Sequence, residues 1–126
     1  MTIENYIWLL FVALAASANA VMDVCKDHYS TSIFKTYNPY FWNTEISWLN
    51  KYKNRAVKQG RTNVPVQFTD SWHLFKSLMI ISIAFAVMFA AMYYKPFYSY
   101  FECIIEFGLV WNGTFNLFYN HILVKK

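Results

Sequence analysis

Three long runs of apolar residues dominate the chain, and polar or charged segments separate them. The first is Tyr6 to Met22, the second is Ser77 to Tyr94 with a backward extension through Trp72–Lys76, and the third is Phe97 to Val124. A helix needs about 20 mainly apolar residues to cross roughly 30 Å of hydrocarbon. The pattern therefore predicts three transmembrane helices, at about 5–27, 71–94 and 97–123, in a single membrane domain over residues 1–126.

The first run has a competing interpretation as a secretory signal peptide. Ala18-Asn19-Ala20 matches an A-x-A cleavage pattern. The first six residues of the sequence, MTIENY, contain no Lys or Arg, whereas a signal peptide begins with a positively charged region. We therefore expect an uncleaved helix, with cleavage as the alternative.

Residues 28–70, between the first two runs, are polar, basic and rich in Tyr and Trp. Asn38-Pro39 and Gln59-Gly60 mark turns, and the stretch from Thr44 to Arg55 is compatible with a short helix. Aromatic residues with a polar end concentrate in the headgroup layer of a membrane. The segment therefore predicts an ordered interfacial loop. The aromatics that suit the headgroup layer include Tyr37, Tyr40, Trp42, Trp48 and Tyr52.

Composition agrees with a membrane protein. The chain is 57% hydrophobic and only 14% charged, whereas soluble domains carry roughly 25% charged residues. Such a chain is unlike a disordered segment, and its 3 glycines leave little room for glycine-rich nucleotide-binding loops. The predicted fold class is all-α, a polytopic membrane protein with an aromatic and basic interfacial loop.

The cations are distributed unevenly about this topology. Nine of the 11 Lys and Arg residues lie within 24–71 or at the C-terminus, and only Lys95 lies on the opposite side. Positive charge marks the cytoplasmic side of a membrane protein, so we expect the N-terminus outside and both the 28–70 loop and the C-terminus on the cytoplasmic side. Basic residues beside a membrane attract anionic lipids. We therefore expect lipid partners and no nucleic acid, with headgroup-binding candidates Lys51, Lys53, Arg55 and Lys76.

A second group of polar residues falls at the inner ends of the predicted helices. Asp70 and His73 stand three apart, so one helix face presents both side chains. Carboxylate and imidazole groups are ligands of zinc, manganese and iron, and a bound metal would activate water for a hydrolytic reaction beside lipid headgroups. The candidate metal ligands are Asp23, His28, Asp70, His73 and His121. In the alternative interpretation Asp70 is the N-cap of the second helix and the histidines are interfacial residues.

The predicted third helix carries a polar stripe in an otherwise apolar segment. At about 100° per residue, its Glu and Asn residues fall on one side: Glu102, Glu106, Asn112, Asn116 and Asn120. Polar groups in a membrane helix usually face protein or water. The stripe therefore favours a non-enzymatic assembly subunit, packed against another copy or a partner membrane protein, or a small ion-conducting oligomer.

Two stretches, Ser47-Trp48-Leu49-Asn50-Lys51-Tyr52-Lys53-Asn54 and Phe68-Thr69-Asp70-Ser71-Trp72-His73-Leu74-Phe75, share the pattern of a known family. They resemble a recurrent group of small integral membrane proteins of bacteria and phages. With Met22-Asp23 and Phe41-Trp42-Asn43, the resemblance covers roughly residues 22–76. It implies a bacterial membrane and a single structural unit over residues 23–76, and it implies no activity or catalytic residues.

Overall fold

Helices account for 79% of the structure, which places it in the all-α class. The computed structural model describes residues 3–93 and 100–124. Its elements are α1 (Ile7–Asp27), α2 (Pro39–Trp42), α3 (Thr44–Ser47), β1 (Tyr52–Asn54), β2 (Gln59–Arg61), α4 (Ser71–Met92) and α5 (Tyr100–Leu117). A 3₁₀ turn, Ile3–Tyr6, leads into α1, and a π-helical turn, Phe118–Ile122, follows α5.

α1 is the central helix of the fold. Both α4 and α5 pack along it, whereas α4 and α5 make little contact with each other over their described residues. Small side chains on α1 permit this close approach: Ala15, Ala16 and Ala20 are completely buried. Over the described residues the two later helices therefore depend on α1 for their packing.

Where the structure describes the chain, two of the three predicted spans, and not the third, have the length and hydropathy of a membrane-crossing helix. Among the described residues, Ile3–Asp27 and Ser71–Met92 are long and apolar enough to cross a membrane. α5 differs because its 18 residues include Glu102, Glu106 and several polar side chains, which lower its hydropathy. Residues 94–99, which include the start of the predicted third helix, lie outside the described part of the chain.

The N-terminal half of α1 contributes directly to the core. Trp8 and Val12 form a buried cluster with Ala86 of α4, and Phe11 stacks on Phe89 with ring centroids 5.2 Å apart. Cleavage after Ala20, the signal-peptide alternative, would remove this packing surface.

The segment between α1 and α4 is held against the helices by its aromatic residues and by hydrogen bonds. Trp42 stacks on Phe34 at a centroid distance of 4.5 Å and contacts Phe75 of α4. The Thr44 hydroxyl donates to the Cys25 carbonyl oxygen, at 3.3 Å, and the Ser71 hydroxyl donates to the Trp42 carbonyl oxygen, at 3.4 Å. These contacts fix α2 and α3 beside the end of α1 and the start of α4.

The short helix predicted for Thr44 to Arg55 is wrong beyond Ser47. After a 3₁₀ turn over Trp48–Lys51, the backbone becomes extended at Tyr52 and forms an antiparallel hairpin in which Tyr52 pairs with Arg61 and Asn54 pairs with Gln59. The Asn54 side chain accepts hydrogen bonds from two backbone N–H groups of the following turn. Asparagine favours such local turns over helix continuation, which explains the difference.

Candidate functional site

Asp70 is the N-cap of α4. Its side chain is 1% exposed, and one carboxylate oxygen accepts a hydrogen bond from the His73 backbone N–H at 2.8 Å. A carboxylate at this position satisfies a free N–H of the first turn and lies at the positive end of the helix dipole. The N-cap interpretation of Asp70 is therefore confirmed.

The same carboxylate holds the His73 ring. The Nδ1 atom of His73 lies 2.9 Å from each Asp70 oxygen. An ionised carboxylate only accepts hydrogen bonds, so Nδ1 carries a proton and donates it. In the neutral imidazole the other ring nitrogen, Nε2, is then an acceptor. Because the His73 side chain is 27% exposed to solvent, the pair presents an oriented imidazole at the surface.

The five candidate metal ligands do not form one site. Asp70 and His73 are in direct contact, whereas the His28 ring packs edge-on against Tyr119. Asp23 is partly buried on α1, and His121 is exposed. Within residues 3–93 and 100–124, no three His, Cys, Asp or Glu side chains form a group suited to a metal ion. The Asp70 oxygens are also already engaged by His73. These positions therefore give no support to a zinc, manganese or iron site.

Asp70 and His73 instead line an open cleft of about 480 Å³, which we call the acidic cleft. The ends of α1 and α3 and the start of α4 form its walls, and two indole rings lie among them. Its lining residues are Lys26, Asp27, Thr44, Glu45, Ser47, Trp48, Asp70, Trp72 and His73. Three carboxylates against one ammonium group make the cleft locally acidic in a protein whose net charge is +4.

Ser47 is the unsatisfied group of this cleft. The residue is completely buried, and its hydroxyl has no hydrogen-bond partner among the described residues. Buried polar atoms are usually paired, so an orphaned hydroxyl in a cleft wall is unusual. Ser47 begins the first motif stretch, but nothing in the sequence marks its hydroxyl as unpartnered.

The hairpin forms a second charged surface, of opposite sign. We call residues 51–61 the basic hairpin: they contain three Lys and two Arg residues and no carboxylate. The side chains of Lys51, Lys53, Lys58 and Arg61 are exposed. Lys51 and Arg61 also line a hollow of about 560 Å³ with Tyr52, Gly60, Thr62 and Val64.

Three lysine ammonium groups lie over tryptophan rings at this end of the molecule. The Nζ atoms of Lys51 and Lys58 are 5.6 and 5.0 Å from the centroid of the Trp48 ring, and that of Lys76 is 4.6 Å from the Trp72 ring. Cation–π contacts of this kind are worth about 0.5–1 kcal/mol at exposed sites. They fix the cations near the aromatic surface.

Arg55 differs from the other three headgroup candidates because its guanidinium group is engaged within the protein. It donates to the Asn50 side-chain oxygen and to the Ile46 carbonyl oxygen, and it lies over the Tyr40 ring. The Asn50 amide in turn donates to the carbonyl oxygens of Tyr40, at 2.6 Å, and Thr69, at 2.7 Å. Asn50 and Arg55 thus tie the base of the hairpin to the segments on either side of it.

The polar stripe of α5 is mostly uncovered. Asn112, Asn116 and Asn120 are exposed, and the Asn120 amide donates to the Asn116 oxygen across one helical turn, at 3.4 Å. One carboxylate oxygen of Glu106 is buried and has no partner among the described residues.

No family model, curated protein or solved structure matches this chain. The resemblance over residues 22–76 therefore rests on its motif residues alone.

Proposed function

We propose that this is a small integral membrane protein that binds anionic phospholipid headgroups through its basic hairpin. The observation that carries the proposal is the hairpin itself, which concentrates five cations without a carboxylate next to the ends of two apolar helices. A basic cluster at this position is attracted to an anionic leaflet by about 1 kcal/mol per cation.

The exposure of α4 supports a membrane location. Many of its large side chains between Leu78 and Met92 are exposed, with Ile80 55%, Ile81 52% and Val87 65% exposed. An apolar surface of this length is unfavourable in water, and lipid tails would solvate it. In this proposal α5 lies beside α1 as a third and more polar span of a bacterial inner membrane. The positive-inside rule then puts the hairpin on the cytoplasmic side of that membrane.

The hairpin has the geometry for phosphate recognition. Lys51 and Arg61 both line its hollow, where the Arg61 guanidinium fork suits two phosphate oxygens and the Lys51 ammonium supplies a compact charge. The hydrogen bonds of Asn50 and Arg55 hold the strands in place, so binding loses little conformational entropy. Arg55 is therefore assigned to positioning and the exposed cations to lipid contact.

The test measures which lipids stay bound to the purified protein. The protein is reconstituted in nanodiscs of phosphatidylglycerol and phosphatidylcholine, released into the gas phase, and its retained lipids are counted by native mass spectrometry. We expect phosphatidylglycerol enrichment in the wild type and its loss in the triple variant Lys53→Gln, Lys58→Gln, Arg61→Gln. Lys35→Gln, which removes an exposed cation outside the hairpin, is the matched control. Equal retention of both lipids by the wild type would contradict the proposal.

The α5 stripe favours a second function, self-association. Each Asn side chain both donates and accepts hydrogen bonds, so the exposed row of Asn112, Asn116 and Asn120 is complementary to the same row on another copy. Interhelical hydrogen bonds of this kind contribute about 0.6–2 kcal/mol each in membranes. We expect a dimer in mild detergent by light scattering, and a monomer after Asn112→Leu with Asn116→Leu. An oligomer that conducts ions would in addition show flux in liposomes that Glu106→Gln changes.

A further inference from the structure

We propose that the acidic cleft binds the primary ammonium group of an aminophospholipid headgroup, such as phosphatidylethanolamine. This inference rests on the proposed lipid-headgroup function and extends it to a second, chemically distinct site. The two sites have opposite charge, so different lipids and different variants test them separately.

The charges of the cleft favour a cation. Three of the seven Asp and Glu residues of the chain line it. Asp70 is engaged by His73, whereas Asp27 and Glu45 are exposed and have no ion-pair partner among the described residues. Asp27 is also the last residue of α1, where the helix dipole is negative and favours positive charge.

The hydrogen-bonding groups favour a primary ammonium over a quaternary one. A primary ammonium has three N–H donors, and the cleft offers the Asp27 and Glu45 carboxylates together with the unpartnered hydroxyl of Ser47. A trimethylammonium group has no N–H donor and would depend on open aromatic faces. The Trp48 and Trp72 rings are already approached by the lysines of the protein.

The position of the cleft favours a lipid over a soluble amine. It lies where α1 ends and α4 begins, and both helices are long and apolar enough to cross a membrane. A headgroup amine is carried next to a phosphate, and Lys26 is the lysine in the cleft lining that matches this negative charge. The cleft therefore presents both signs of a zwitterionic headgroup at the depth where headgroups lie.

The experiment measures binding of soluble short-chain lipids to the full-length protein in detergent. Dihexanoyl-phosphatidylethanolamine is titrated against dihexanoyl-phosphatidylcholine, which differs in its three N-methyl groups, and ethanolamine alone tests for a soluble amine. We expect the ethanolamine lipid to bind at least about tenfold more tightly than the choline lipid, because lost charged hydrogen bonds typically have this effect. Asp27→Asn with Glu45→Gln should abolish the preference. Both substitutions are nearly isosteric and at exposed positions, and circular dichroism checks that the fold is retained.

Two controls separate this site from the hairpin. Ser47→Ala should weaken binding of the ethanolamine lipid more than binding of the choline lipid, since only the ethanolamine lipid donates an N–H to the hydroxyl. The triple hairpin variant should keep the ethanolamine preference even when it loses phosphatidylglycerol. Equal affinity for the two short-chain lipids would overturn the inference, as would a preference that survives Asp27→Asn with Glu45→Gln. Tighter binding of ethanolamine itself, or Mg²⁺ binding at the cleft without lipid selectivity, would assign the carboxylates to another cation and overturn it too.

Discussion

The Asp70 carboxylate binds both the backbone N–H and the imidazole Nδ1 of His73, all within 2.9 Å. One side chain thus starts α4 and orients the ring that reaches the acidic cleft. The local fold and the site geometry are coupled at this pair, and substitutions of its two members separate the contributions.

Replacing Asp70 with Ala should destabilise the protein by about 1–3 kcal/mol, because the variant loses an N-cap and leaves the first turn of α4 unsatisfied in a buried setting. Asp70→Asn retains a capping oxygen and should cost less, and His73→Ala retains the cap entirely. Thermal unfolding in detergent, followed by circular dichroism, measures the order. An Asp70→Ala protein as stable as His73→Ala would show that capping is not the main role of Asp70.

Asn50→Ala should loosen the basic hairpin without unfolding the helices. The variant removes the amide that joins Tyr40 to Thr69 and the oxygen that accepts from Arg55, a loss of about 1–3 kcal/mol. We expect faster hydrogen exchange over residues 51–61 and unchanged exchange in the middle of α1. Lys53→Ala, at an exposed position on the same hairpin, is the comparison. Identical exchange in the two variants would contradict the role of Asn50 in holding the hairpin.

Gly60→Ala and Gly113→Ala should have opposite effects on stability. Gly60 has φ +73°, and an added Cβ would lie 3.3 Å from the Lys53 Cβ, whereas a Cβ at Gly113 meets nothing within 4 Å. The first substitution therefore strains the hairpin by about 1 kcal/mol, and the second stabilises α5 by about 0.5–1 kcal/mol relative to glycine. Unfolding curves of both variants measure the direction of each change in the free energy of unfolding. An unchanged free energy of unfolding in Gly60→Ala would indicate a hairpin that relaxes easily.

Stability should fall at alkaline pH partly through Tyr29. Burial, with a smaller effect from the neighbouring Cys25 thiolate, raises the pKa of Tyr29 above its ordinary value. The folded state then holds the phenol proton more tightly than the unfolded state, so this contribution is complete below about pH 10 and is lost as the pH rises through the folded pKa. The Tyr29→Phe variant has no phenol that titrates. The free energy of unfolding of the wild type should therefore fall relative to that of Tyr29→Phe as the pH rises from 9 to 11. A difference that is constant over this range would contradict the assignment.

The helical class and the capping role of Asp70 could be predicted from sequence because both depend on local patterns. Long apolar runs set α1 and α4, and an Asp before a helical run is a recognisable cap. The number of spans could not be settled in this way. α5 is apolar on average, but its Glu and Asn residues reduce its hydropathy below that of α1 and α4.

The acidic cleft could not be predicted because its members come from three separate parts of the chain. Asp27, Glu45 and Asp70 are separated by 18 and 25 residues, and only the docking of α3 between α1 and α4 places them around one space. Ser47 and Asn50 belong to a motif stretch, but their hydrogen-bonding roles depend on residues that are distant in sequence. Depth in the predicted membrane groups His28 and His121 with Asp70 and His73, whereas the fold does not assemble them into one site over the described residues.

The central position of α1 has a consequence for biosynthesis. α1 precedes α4 and α5 in the chain and therefore leaves the ribosome before them, and it supplies the surface on which both of them pack. α4 and α5 make little contact with each other over their described residues, so the packing of α4 on α1 does not require α5 to be present. Assembly can therefore proceed one helix at a time against a template that is already in place, and a chain that lost its first 20 residues would leave both later helices with only the last two turns of α1 to pack against.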